Sequence, residues 1–302
     1  MIRLDELKRL GIDVQTEVFL KDKTWLGVGG KAEFYIDVQD EKMLKQILQY
    51  ADEQSVPITV LGGGSNILVR DGGIKGLVLH LDKKFTTISV QENMLICGAA
   101  APLMNIAKAA ADYCISGFEF MSGIPGTLGG GFKTNAGAYG SDLGQITTEL
   151  IAMDNKGETH ILSPQQDKIF DYRTCKLPTG WIFIQAKLKG QQEKNNEQIL
   201  ARMQEYKEKR QASQPLGVRT AGSTFKNPAG ASAWKLLDSV GLRGYTQHHA
   251  QFSEKHPNFL INMGGASAED LEELIILAQK KVQEKTGTRL ECEVKILGEK
   301  SA

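Results

Sequence analysis

Leu61-Gly62-Gly63-Gly64-Ser65-Asn66-Ile67-Leu68-Val69 is a short apolar run, a glycine turn and a second apolar run. Read outward from the turn, residues 58–61 and 67–69 predict strands, and residues 77–81 a third. Successive glycines let consecutive amide N–H groups converge on one concavity, which suits a phosphate, and they let backbone approach a ligand without Cβ clashes. Glycine inside a core element costs about 0.5–1 kcal/mol relative to alanine, so a triple glycine asks for a reason. Upstream, residues 34–38 alternate as a strand. Asp40 then caps a helix whose apolar positions are Met43, Leu44, Ile47, Leu48 and Ala51. Downstream, residues 86–90 and 94–97 predict a hairpin around Glu92-Asn93, and Pro102 opens a helix to about Cys114 in its first turn.

Two further glycine segments accompany the first. One is Thr24-Trp25-Leu26-Gly27-Val28-Gly29-Gly30. The other is Gly123-Ile124-Pro125-Gly126-Thr127, followed by Asn135-Ala136-Gly137-Ala138-Tyr139-Gly140. Each alone reads better as a tight turn between packed strands; together they favour a cradle for a flat ring or a diphosphate. Gly27-Val28-Gly29-Gly30-Lys31-Ala32 matches a loose dinucleotide fingerprint. It lacks the strand before and the helix after that place a pyrophosphate on a helix N-terminus, so a Rossmann fold is rejected. The chain has no P-loop, Gly-x-Ser-x-Gly elbow or His-Glu-x-x-His helix.

The 302 residues are enough for two domains, with 36 basic and 36 acidic side chains giving zero formal charge. That balance supports neither a nucleic-acid partner nor a membrane surface. Four scattered cysteines lack metal or disulfide spacing, and the charged N-terminus reads as no signal peptide, so a cytoplasmic location is expected. Strands are expected at 145–153 and 181–188, and a helix in 189–214 with Ile199, Met203 and Tyr206 on one face connects the domains. The C-terminal part carries a glycine-flanked loop near Ser223, a helix near 232–240 and a strand at 259–262. A helix opened by the Ser267-x-x-Asp270 capping box and a last strand over 290–297 complete it.

The three glycine segments resemble the FAD-binding segments of the UDP-N-acetylenolpyruvoylglucosamine reductases, and the resemblance runs from about residue 20 to residue 298. It implies an α+β fold: a vanillyl-alcohol-oxidase-type (PCMH-like) FAD-binding region over 1–192, core 21–190, and a smaller α+β substrate domain over 193–302, in the shorter type without extra substrate-clamping insertions. The implied cofactor-binding residues are Trp25, Gly29, Gly30, Gly62, Gly63, Gly64, Ser65, Asn66, Ile67, Gly123, Ile124, Pro125, Gly126, Thr127, Asn135, Ala136 and Gly137. FAD is expected to be non-covalent, since none of the five histidines lies in a glycine segment.

Three motifs carry the implied chemistry. In Phe170-Asp171-Tyr172-Arg173-Thr174-Cys175, Arg173 offers a planar cation for a carboxylate; without the resemblance it reads as a surface arginine. Cys175 stands where the family usually has serine. In Ala221-Gly222-Ser223-Thr224-Phe225-Lys226-Asn227-Pro228, Ser223 takes the family's proton-donor role. In Leu290-Glu291-Cys292-Glu293-Val294-Lys295, Glu293 is the implied catalytic glutamate on what otherwise reads as a solvated strand face, and Cys292 replaces the family's usual proline. Tyr172, Lys226, Asn227, His256 and Asn258 are expected to hold substrate. The implied reaction uses NADPH and FAD to reduce the enolpyruvyl ether of a UDP-sugar. Arg173 and Glu293 stabilise the enol-like species, and Ser223 protonates it. A flavin oxidase of the same superfamily and a non-catalytic UDP-sugar-binding protein are the alternatives. No metal is expected: His248 and His249 point apart if they lie in a strand, and they lack a third ligand.

Overall fold

A computed structural model describes residues 4–301; residues 1–3, part of the charged N-terminus read above, and residue 302 lie outside it. The chain divides into two compact units. The first takes the chain up to Thr16, Phe34–Gly63 and Gly76–Lys209; the second takes Glu17–Glu33, Gly64–Lys75 and the chain from Arg210 on.

In the first unit, the Glu41–Gln54 helix follows the Lys31–Val38 strand as its apolar spacing demands, with Asp40 Oδ1 accepting the Met43 N–H at 2.9 Å. Leu44, Ile47 and Leu48 are buried, and Ser55 ends the helix in the left-handed region. Ile58–Val60 then pairs parallel to Ile74–Leu81, Ile58 opposite Leu77, in a four-stranded sheet of order Gln15–Phe19, Lys31–Val38, Ile74–Leu81, Ile58–Val60, of which residues 15–16, 34–38, 76–81 and 58–60 fall in this unit. A second, five-stranded antiparallel sheet runs Thr159–Leu162, Thr147–Met153, Ile182–Lys189, Met94–Gly98, Ile88–Gln91. The expected hairpin at Glu92-Asn93 is present, with Glu92 at φ 54. Leu95, Cys97, Leu150, Ala186 and Leu188 bury one face of this sheet in the unit's core. Pro102 sits one position earlier than expected. It precedes the Leu103–Asp112 helix at ψ 133, as an extended N-cap. The expected strand from Gln145 begins at Thr147, because Asp142 caps a short helix, Leu143–Ile146, through the Gln145 N–H. The Glu197–Ser213 helix buries Ile199 and packs Met203 and Tyr206 on the same core.

In the second unit, a four-stranded antiparallel sheet has the order Arg219–Ser223, Phe259–Asn262, Ala250–Phe252, Thr246–Gln247. The Ala268–Thr286 helix carries the expected capping box and buries Leu271, Leu274, Ile275, Ala278 and Val282 against it. The last strand is shorter than expected. Lys295–Leu297 alone pairs in regular register, parallel to Ile67–Val69. Before it the chain makes one isolated bridge, Cys292 opposite Phe225. Ser223 likewise closes a strand rather than sitting in a loop. The adjacent histidines occupy a hairpin turn, His248 at φ 51, rather than a strand.

Candidate active site

The first unit holds a cavity of about 470 Å³, within the size range of small-molecule sites. Its wall joins two of the glycine segments. Gly62 follows the Ile58–Val60 strand, and a Cβ there would meet Thr127 Oγ1 at 2.7 Å; at Gly63 it would meet Gly126 Cα at 3.0 Å. Segment 126–129 is itself sewn to the chain beyond the Met94–Gly98 strand: Leu103 N–H donates to Gly126 C=O, Leu128 N–H to Ala101 C=O and Gly129 N–H to Ala99 C=O. The glycines therefore let two backbones touch beside an open cavity. That is the shape a flat, phosphate-bearing group needs, and FAD fits this donor set of amides and small side chains.

Beside this segment, Gly123 ends the Glu119–Gly123 turn of 3-10 helix, and Ile124 and Pro125 lead to Gly126 at φ 103. Asn135 is buried, and its side chain is fully engaged: Oδ1 accepts from Gly144 N–H at 2.9 Å and Nδ2 donates to Asp171 C=O at 3.1 Å. Ala136 N–H donates to Gly131 C=O, and Gly137 starts a tiny hairpin with Asp142. Tyr172 and Arg173 form the turn between strands Phe170–Asp171 and Thr174–Cys175, Arg173 at φ 49. The Arg173 guanidinium donates to Gly137 C=O at 2.8 Å and to Asn135 C=O at 3.3 Å. Asn135 and Arg173 thus hold each other's chain segments, which fixes the guanidinium plane. Tyr172 is exposed.

In the second unit the remaining glycine segments meet. Gly64 stands at φ 63, with an added Cβ only 2.0 Å from Lys23 C=O, and its own carbonyl accepts the Trp25 N–H at 3.0 Å. Gly29 packs on Val69, and the Gly30 N–H donates to Arg70 C=O. Trp25 is exposed; Ser65 and Asn66 follow the glycine turn, and Ile67 opens the strand paired with Lys295. The Asn66 amide donates to Glu293 C=O at 3.3 Å, linking a segment assigned to cofactor with one assigned to catalysis.

Ser223 and Glu293 are brought to one seam. The Glu293 N–H donates to Thr224 C=O at 2.8 Å and the Lys226 N–H to Glu291 C=O at 2.9 Å, so the two segments run antiparallel and Glu293 lies opposite the neighbour of Ser223. A register shift between Thr220 and Ser223, with Gly222 at φ 76, turns the strand end. Lys226 Nζ pairs with Glu291 Oε1 at 2.5 Å, and Asn227 Oδ1 accepts the Ala233 N–H of the next helix. Asn258 is buried and grips the Phe225 backbone from both sides: Oδ1 accepts from its N–H at 3.0 Å and Nδ2 donates to its C=O at 2.8 Å. Its amide is spent on holding the Ser223 segment. His256 lies edge-on to Phe259 at 4.9 Å, and burial pushes its pKa down, favouring the neutral ring.

Sequence reasoning missed Lys133, Trp181 and Phe183, which also line the cavity. Lys133 left a signal: it is the single charged residue between Glu119 and Asp142.

Residues 214–297 match the family model described as UDP-N-acetylenolpyruvoylglucosamine reductase, C-terminal domain, and residues 32–163 match an FAD binding domain. The chain is 44% identical over 275 residues to the UDP-N-acetylenolpyruvoylglucosamine reductase of Paramagnetospirillum magneticum, covering 91% of this chain and 89% of the relative. It is 45% identical over 280 residues to the protein of that name from Rickettsia massiliae, covering 92% and 94%. Among solved structures it is similar to UDP-N-acetylenolpyruvylglucosamine reductase from Thermus caldophilus, at TM-score 0.83 and 35% identity over 95% of this chain and 100% of that one.

Proposed function

The chain belongs to the UDP-N-acetylenolpyruvoylglucosamine reductase family, and from that premise we propose that it reduces the enolpyruvyl group of UDP-N-acetyl-3-O-(1-carboxyvinyl)-glucosamine to give UDP-N-acetylmuramate. The step belongs to peptidoglycan precursor synthesis and takes place in the cytoplasm; among the described residues no helix is long and apolar enough to cross a membrane. The observation that carries the reading is the meeting of Gly62 with Thr127 on the cavity wall, with Gly63 packed on Gly126 beside it.

Bound FAD, non-covalent and reduced by NADPH, supplies the hydride. The chain's own residues do the rest. Gly62 and Thr127 admit the cofactor by keeping backbone at the wall, and Gly63 and Gly126 let the two segments pack behind it; Gly64, Ser65, Asn66 and Ile67 continue that segment, and Trp25, Gly29 and Gly30 support it. Gly123, Ile124 and Pro125 hold Gly126 in place, while Asn135, Ala136 and Gly137 anchor Arg173. Arg173 engages the substrate carboxylate with its planar fork. Negative charge on the carbon next to that carboxylate is stabilised by Arg173 and Glu293, and each well-placed group can contribute about 3–4 kcal/mol. Ser223 then gives its proton to this carbon. A serine hydroxyl is a weak acid and serves only because the acceptor is strongly basic. Lys226, Asn227, Tyr172 and His256 contribute to substrate binding, and Asn258 does so through the segment it holds.

Anaerobic stopped-flow absorbance at the flavin band tests this. In Ser223→Ala, bleaching by NADPH proceeds at the wild-type rate, while recolouring by the enolpyruvyl substrate slows by about 10²–10⁴-fold. Unimpaired recolouring removes Ser223 from the mechanism, and a wild-type protein that never bleaches with NADPH removes the whole reading.

A further inference from the structure

Lys133 ends the short Leu128–Lys133 helix, one turn beyond Gly129 and Gly130, and all three line the cavity. The space its side chain opens on is that cavity. The ammonium lies 5.4 Å from the centre of the Phe183 ring, and no carboxylate lies within ion-pair distance of it among the described residues. Of the other titratable groups lining the cavity, Asp52 makes no ion pair with it and His80 is engaged with Asp37 at 2.9 Å. Its titratable neighbour Cys175 offers no charge, because burial raises that thiol's pKa and keeps it protonated. Desolvation by the same walls lowers the pKa of Lys133 itself. Lys133 is exposed where it faces the cavity, so its charge is open to pairing with an anionic ligand that enters. The wall beside it is the one whose glycines expose backbone, the surface suited to phosphate oxygens.

We propose that Lys133 is the cationic partner of the cofactor's diphosphate, selecting a phosphorylated flavin dinucleotide over uncharged flavin. The inference rests on the FAD reading above and assigns Lys133 a part that the sequence motifs do not. The full chain, stripped of flavin, is titrated with FAD and with riboflavin by quenching of flavin fluorescence. Lys133→Met keeps the length and apolar stem of the side chain and removes the charge. FAD affinity is expected to fall about ten- to a hundredfold, with a weaker dependence on salt, while riboflavin affinity stays unchanged. Lys133→Arg recovers most of the FAD affinity, and Lys108→Met, at an exposed lysine paired with Asp112, changes nothing. If Lys133→Met binds FAD as wild type does, or loses riboflavin and FAD alike, the inference is overturned and the FAD reading stands. If the stripped wild-type chain takes up no FAD, both fail.

Discussion

Asn258→Ala tests how the catalytic seam is held. The Asn258 side chain makes two hydrogen bonds, at 3.0 and 2.8 Å, to the two polar groups of the Phe225 backbone. Phe225 and Asn258 are both buried, at 1% and 4% exposure, so water does not take over when the amide is removed. Each orphaned buried group costs about 1–3 kcal/mol, and two give about 2–6 kcal/mol. Since every 1.4 kcal/mol is tenfold, even the lower bound speeds exchange of the Phe225 amide hydrogen by about 30-fold where that exchange follows opening of the second unit. Native-state hydrogen exchange of the purified variant reads this directly. The effect should also reach chemistry: with the Ser223 segment loosened, recolouring by the enolpyruvyl substrate slows while bleaching by NADPH does not. A Phe225 amide that exchanges within about threefold of wild type would refute the clamp, and unchanged recolouring would separate the clamp from catalysis.

Arg173→Lys keeps the charge but cannot donate to Asn135 and Gly137 while presenting a planar fork; substrate turnover should drop about 10–100-fold, with near-wild-type thermal stability, and turnover near wild type would exclude Arg173 as carboxylate partner. Gly64→Ala places a Cβ 2.0 Å from the Lys23 carbonyl at φ 63. Left-handed strain of about 1–2 kcal/mol plus the clash should displace Ser65 and Asn66, and purification should yield protein depleted of yellow colour. The Arg70 hydrogen bonds to Glu272, at 2.7 and 2.9 Å, hold the Glu272 carboxyl below its usual range. A depressed folded pKa means this stabilisation is present above the unfolded value of about 4.5 and is lost as pH falls through the lower folded value. Glu272→Gln should therefore lower the melting temperature at pH 7, by an amount that shrinks as the pH falls below about 4.5, and a drop independent of pH would count against the ion pair.

What was legible in the sequence was mostly local. The Glu41–Gln54 and Ala268–Thr286 helices announce themselves through apolar spacing and through Asp40 and Ser267, caps that act within four residues. The α+β class, the flavin-type domain and the family followed from motifs that this chain keeps nearly intact. The Gln15–Phe19 strand was invisible because its side chains are mostly exposed and show no buried alternation. Ser223 read as loop because glycine dominates its neighbourhood, whereas its strand character comes from pairing with Phe259, a partner 36 positions away. Asn258 read as a substrate ligand, and its engagement with Phe225 emerges only when residues 33 apart in sequence are placed together. The last strand ran short because the alternation from Leu290 to Leu297 describes which side chains are buried, not which backbone partner is present.

The interleaving of the chain governs how this protein can be made. Leu26, Val28 and Leu68 belong to the same core as Ala221, Phe252, Leu271 and Val294. At translation speeds of about 5–20 residues per second, these three wait on the order of ten seconds or more after leaving the ribosome before their partners exist. The first unit needs nothing beyond Lys209 and can close in the meantime. A fragment beginning at Arg210 has no such option, because it lacks three core side chains and the Ile67–Val69 edge on which Lys295–Leu297 is templated. Nascent chains thus carry these early apolar segments without their core partners until residues from Ala221 on have emerged, a window in which exposed apolar surface favours aggregation.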